Sequence, residues 1–165
     1  MKKKMFNCLF LSLLLIGVGC ASKPVWKSEP NTRQVENEYF YATMSPIFMF
    51  DGYKGFLITI LNKSASNIEV LWNKTFYLYN GERNGDFMLE GMRFSDRKKT
   101  KPHDIIVSGR LFSMEIFPSR LAELSSLARA WIRDSMKPGE NGIHLTVKVG
   151  QKEMTEKLTL NFSEK

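Results

Sequence analysis

Between positions 143 and 162 the chain reads IHLTVKVGQKEMTEKLTLNF, and the fold class turns on how its apolar residues are spaced. Ile143, Leu145, Val147 and Val149 alternate with His144, Thr146 and Lys148. Beyond Gln151-Lys152, Leu158, Leu160 and Phe162 alternate with Lys157, Thr159 and Asn161. A period of two puts each apolar set on one face of a strand, whereas a helix repeats at three and four. One packed side and one wet side characterise an antiparallel pair, so the stretch predicts a hairpin turning at Gln151-Lys152.

The same period recurs upstream. Residues 55–61, GFLITIL, are apolar in both alternate sets, which predicts a strand buried on both faces. Residues 63–67, KSASN, have the composition of a turn. Ile68, Val70 and Trp72 then alternate with Glu69 and Asn73, and Phe76 and Leu78 with Tyr77 and Tyr79. Asn80-Gly81 and Asn84-Gly85 are turn dipeptides. Residues 39–43 and 47–50 flank Pro46, as in a bent or edge strand. Residues 87–94 predict a weaker strand, and residues 105–117 a strand with a bulge at Gly109.

Residues 119–134, SRLAELSSLARAWIRD, break the pattern. Leu121, Leu124, Ala128 and Trp131, with Ile132 beside it, fall at helical spacing. Pro118 precedes them, Ser119 suits an N-cap, and Pro138-Gly139 supplies a stop. An amphipathic helix over 119–134 is therefore expected. With about seven strands around it, the pattern predicts an antiparallel β-sandwich carrying one inserted helix.

The amino-terminal part has other work. Lys2, Lys3 and Lys4 precede an apolar run at 9–16, interrupted only by Ser12, and small residues follow at 17–19. That order matches a secretory signal peptide over residues 1–19. The apolar run is about half the length a membrane span needs. Without it the chain keeps 146 residues, with 21 basic against 17 acidic, a mild net charge of +4. Cys8 leaves with the leader, so Cys20 becomes the sole thiol and no internal disulfide can form. Residues 20–37, polar and holding Pro24 and Pro30, are expected to be a tether reaching about 50 Å when extended. Within it Trp26 is expected to dock on its own domain, which would occupy residues 38–165, or to sit at the membrane interface.

Gly17-Val18-Gly19-Cys20 resembles the lipobox of bacterial lipoproteins. The resemblance implies diacylglycerol on the Cys20 sulfur, cleavage between Gly19 and Cys20, and acylation, palmitate for example, of the new amine. Gly17 departs from the family's usual Leu. Gly17 and Gly19 also suit the ordinary signal peptidase, which would leave a reactive terminal thiol. Ala21, which is not Asp, implies by the same resemblance the outer rather than the inner membrane. The strand spacing is similar to immunoglobulin-like domains of small bacterial lipoproteins, and without a Cys-Trp-Cys framework it would not be an antibody-type domain.

Little else carries chemistry. His103 and His144 stand 41 residues apart, so neither a metal site nor any cofactor is expected. A nucleophile elbow and a phosphate-cradling glycine loop are both missing from the sequence. Arg97, Lys98, Lys99, Lys101 and His103 form the densest charge run, a candidate contact for an anion or an acidic partner and equally the composition of a solvated loop. The sheet face carrying His144 and Lys148 and the edge near Pro46 are further candidate surfaces. The expected function is a non-catalytic, membrane-anchored binding or assembly module of the cell envelope. Its partners would be the membrane, through acyl chains on Cys20, and another envelope protein, but not nucleic acid. The alternative is an envelope hydrolase or ligand carrier with a cleft near Asp51, His103 and Asp104.

Overall fold

The computed structural model describes residues 25–125 and 130–164. The strands, in chain order, are β1 (Trp26–Glu29), β2 (Arg33–Glu36), β3 (Phe40–Met49), β4 (Gly52–Asn62), β5 (Ile68–Val70), β6 (Phe76–Tyr79) and β7 (Glu82–Leu89). They continue as β8 (Asp104–Ile106), β9 (Leu111–Pro118), β10 (Ala122–Ser125), β11 (Ala130–Arg133), β12 (Gly139–Val149) and β13 (Lys152–Glu164). Short 3-10 turns occupy Phe94–Asp96 and Ser119–Leu121.

The carboxy-terminal alternation builds the expected hairpin. Ile143 faces Leu158 across β12 and β13, and Val149 faces Lys152, so the loop is Gly150-Gln151, one residue earlier than expected. From there one sheet runs in the order β1-β13-β12-β6-β7-β9-β4-β3-β2, with β5 beside β12 and β8 beside β5. It is antiparallel throughout and curls into a half-barrel, whose two walls form two layers. β7 belongs to both. Its first residues pair with β6, and Phe87, Met88 and Leu89 pair with β9. Gly85, at φ +102, lies just before this handover. Only glycine reaches that conformation cheaply, so Asn84-Gly85 is a bend within a strand and not the expected turn. Asn80-Gly81 does make the two-residue turn that its type demands, with both φ values positive.

The inner faces supply the core. Phe40, Ala42 and Met44 of β3 and Phe56, Ile58 and Ile60 of β4 are fully buried, as are Ile143, Leu145 and Leu158 from the other layer. The Phe56 ring lies 6.3 Å from Phe162 and 6.3 Å from Phe87, so it touches both layers and the strand joining them. Each such ring contributes about 1.5–3 kcal/mol by leaving water. Residues 55–61 are buried on one face only, because Leu57 is 39% exposed and Thr59 and Leu61 are half-buried.

Four expectations are corrected. In place of about seven strands in an immunoglobulin-like sandwich, the described residues hold thirteen strands in a curled sheet and a separate ribbon. The expected helix over 119–134 is a 3-10 turn followed by the antiparallel ribbon β10–β11, residues 126–129 lying outside the described residues. A 16-residue helix would hold its ends about 24 Å apart. Here the Asp134 N–H donates to the Leu121 carbonyl at 2.8 Å, and only a chain that doubles back permits that. The expected tether is ladder-paired from Trp26 onward, β1 on β13 and β2 on β3, with Pro30 confined to the connection between them. Residues 105–117 are two strands, with Gly109 in the turn separating them. Pro46 meets its expectation. β2 pairs only as far as Met44, so Pro46 lies on an open edge, and a register shift follows at Ile47/Phe48.

Asn62 closes the far end of β4. Its Nδ2 donates to the carbonyls of Ser66 and Ile106, both at 2.8 Å, and its Oδ1 accepts from the N–H and hydroxyl of Ser64. The side chain is fully buried with all its hydrogen-bonding capacity used. Asn62→Ala is expected to lower unfolding stability by about 1–3 kcal/mol in chemical denaturation, through the partners left unpaired. A loss within about 0.5 kcal/mol, typical of surface sites, would contradict this role.

Candidate functional site

The charge run at 97–103 follows the 3-10 turn, and the structure disperses it. The Arg97 guanidinium lies 3.8 Å from the Phe94 ring centroid and donates to the Phe94 carbonyl. Lys99 pairs with Asp96 at 2.7 Å, and that hydrogen bond holds the Asp96 carboxyl below its ordinary range. Lys98 is exposed. Lys101 points inward, 5% exposed, and its backbone N–H and carbonyl are both held by the Asn73 side-chain amide. The run is thus pinned at its centre and does not present a single cationic surface.

His103 and Asp104 have separate tasks. Asp104 Oδ2 accepts the indole N–H of buried Trp72 at 2.6 Å, a strong charge-assisted bond that orients a core ring. His103 Nδ1 stands 3.6 Å from Glu69 Oε2, which also lies 3.9 Å from Lys148 Nζ through its other oxygen. Glu69 thereby brings together a loop histidine and a sheet lysine that were expected as separate surfaces. His144 stacks on Phe76, with centroids 4.4 Å apart and planes 7° from parallel. The sheet face is polar as expected, and its aromatic pair is packed.

At the β3–β4 hairpin, Met49 faces Gly52, which leaves Phe50-Asp51 as a two-residue loop. Asp51 pairs with Lys54 at 2.7 Å, and the buried Lys54 ammonium also donates to the Ser135 hydroxyl at 2.8 Å. The hydrogen bond and charge of Lys54 hold the Asp51 carboxyl below its ordinary range. Asp51 therefore stands at a different place from Asp104, engaged by its own partner. Phe48 and Trp26 both meet Tyr53 edge-on, at 5.5 and 6.0 Å, so Trp26 docks on its own domain. Its indole Nε1 is buried and has no acceptor among the described residues.

A recess of about 140 Å³ opens elsewhere, lined by Tyr77, Tyr79, Asn84, Arg120, Leu121 and Lys137. Tyr79 donates to the Pro138 carbonyl at 2.9 Å, Arg120 to the Asn84 amide oxygen, and Tyr77 to the buried Asn141. Burial pushes the Tyr77 phenol up, so it stays protonated. The spacing of these residues offered no signal, since Arg120 fell in the expected helix and Lys137 in its exit. Among the described residues no group of three or more His, Cys, Asp or Glu is placed to hold a metal ion. No helix among them is long and apolar enough to cross a membrane. Gly19 and Cys20 lie outside the described residues. Comparison with protein-family models, curated proteins and solved structures finds no match for the chain.

The Asp51–Lys54 contact predicts a pH dependence. A carboxyl with a lowered folded value favours the fold while ionised, so its contribution is complete above about pH 4. It is lost as pH falls through the lowered value. A carboxyl NMR titration is expected to place Asp51 below an ordinary aspartate and to return it toward the ordinary value in Lys54→Met. An unchanged titration in that variant would contradict the assignment.

Proposed function

We propose that the chain is a bacterial lipoprotein, held to the cell envelope by acyl chains on Cys20, whose β domain is a non-catalytic binding or assembly module. The observation that carries this reading is the distance between the anchor motif and the fold. The lipobox-like Gly17-Val18-Gly19-Cys20 ends at position 20, and β1 begins at Trp26. Five residues from Cys20 to Val25 span about 17 Å at most. A lipid on Cys20 would therefore hold the domain against the bilayer surface, not the 50 Å away that an unpaired tether allows. Each buried methylene contributes about 0.8 kcal/mol, so two or three chains make such an anchor effectively permanent. Ala21 favours the outer membrane.

The non-catalytic part rests on the engagement of the groups that a cleft would need. Asp104 holds Trp72 and His103 beside it faces Glu69, while Asp51 holds Lys54 at another place. The ligand-carrier reading has one observation in its favour, the recess with Arg120 and Lys137, which suits a small anionic group. Its volume is well below the roughly 300–1,000 Å³ of ordinary ligand pockets.

Mass spectrometry of the protein from a bacterial envelope tests the anchor. A mature chain beginning at Cys20 with an acyl mass increment is expected, and Cys20→Ala should retain the uncleaved precursor. An unmodified chain beginning at Cys20 would overturn the reading.

A further inference from the structure

The β3–β4 end of the domain carries aromatic surface that the fold does not use, whereas the apolar side chains exposed at the far end of β4, Val107 and Leu111, are aliphatic. Phe50, at the tip of the β3–β4 loop, is 95% exposed, and Phe48 is 52% exposed. Phe50 also sits at φ 54, in the left-handed region where bulky side chains are rare and Asn or Gly would serve at lower cost. Neither its backbone nor its burial gives the folded domain a reason for phenylalanine there. An unfavourable conformation that displays an aromatic ring to solvent points to a contact outside the domain.

The position of this tip says what that contact is. Phe48 packs on Tyr53 and Tyr53 on Trp26. The Trp26 ring lies so close to Gly52 that a methyl group there would be 3.2 Å from it. Val25, 66% exposed, precedes Trp26, and from it the chain leads back in five residues to Cys20. The aromatic end is therefore the end from which the anchor segment departs. The only acidic group in the loop, Asp51, is matched by Lys54, so the tip presents no unbalanced charge. Aromatic rings on such a tip suit the headgroup layer of a bilayer.

We propose that the β3–β4 tip, Phe48 and Phe50 together with the neighbouring Val25, inserts into the interfacial layer of the membrane to which Cys20 is anchored. It forms a second, non-covalent contact that fixes how the domain faces the bilayer. This rests on the anchor reading. The lipid holds the chain by one point, and the tip converts that point into an orientation. It leaves the opposite end of β4, about 34 Å away along an extended strand, turned from the lipid.

The test uses the lipidated chain in vesicles of phosphatidylethanolamine and phosphatidylglycerol carrying nitroxide-labelled lipid. A thioether-linked Cys20 is unreactive, so Phe50→Cys supplies the single thiol for an environment-sensitive fluorophore. Ala65→Cys, exposed beyond the far end of β4, supplies the comparison. A blue-shifted emission at position 50, quenched several-fold more by the lipid nitroxide than emission from position 65, is expected. Equal quenching at the two positions would overturn the insertion, and so would a blue shift at position 50 without lipid quenching, which assigns the tip to a protein contact. If the chain without an added cysteine takes up fluorophore at Cys20, the anchor fails and the insertion with it. An unreactive Cys20 with an unquenched position 50 overturns the insertion alone.

Discussion

Strand β7 gives its first residues to β6 and its last three to β9, and the two layers of the molecule are held in one sheet by that division. A strand edge left open costs unpaired backbone groups and invites association, so a sheet that passes from layer to layer through one strand removes two edges at once. On the opposite side β1 lies on β13 and β2 on β3, with only the connection at Pro30 between them. The Asn37 side chain donates to Glu156 across this closure at 3.2 Å. The curl then presses Phe56 against Phe87 and Phe162, so the aromatic core and the hydrogen-bonded path specify the same shape. Asn62 and Asn141, both fully buried, hold the loops that the curl brings inside.

That closure also sets what an anchor at Cys20 can do. Because β1 is stitched to the last strand, the described chain begins at the sheet itself, with Trp26 beside Gly52 and Tyr53. A domain on a long free linker samples a wide shell above the membrane, whereas one on five residues stays within reach of the lipid surface. On the proposed reading the polar sheet face, where Glu69 gathers His103 and Lys148, remains available to a partner in the envelope. The hairpin tip has a different composition, aromatic and charge-balanced, and on the same reading it serves the membrane side.

The carboxy-terminal hairpin was legible because apolar and polar residues alternate along it, even though Thr146 of the polar set is buried, and so was the Asn80-Gly81 turn, whose conformation few other residue pairs adopt. The lipobox resemblance rests on four consecutive residues that lie outside the described ones. The ribbon at β10–β11 was not legible. Leu121, Leu124 and Ala128 fit a helical face, and what decides against the helix is the meeting of Leu121 with Asp134, a long-range closure that local spacing does not encode. β1 and β2 were hidden because they are short edge strands with few apolar residues, recognisable only through their partners. The same holds for the candidate sites. Nothing near position 104 announces that its carboxylate belongs to Trp72, and the recess draws Asn84, Arg120 and Lys137 from three separate segments.

The most direct measurement is native-state hydrogen exchange on the arm nearest the anchor. With β1 paired to β13, amides within residues 26–29 should exchange as slowly as those of residues 161–164, and both sets should lose protection together when the sheet is destabilised. Exchange of residues 26–29 at the rate of an unstructured peptide, with residues 152–160 still protected, would contradict a sheet closed by its amino-terminal arm and restore the long tether.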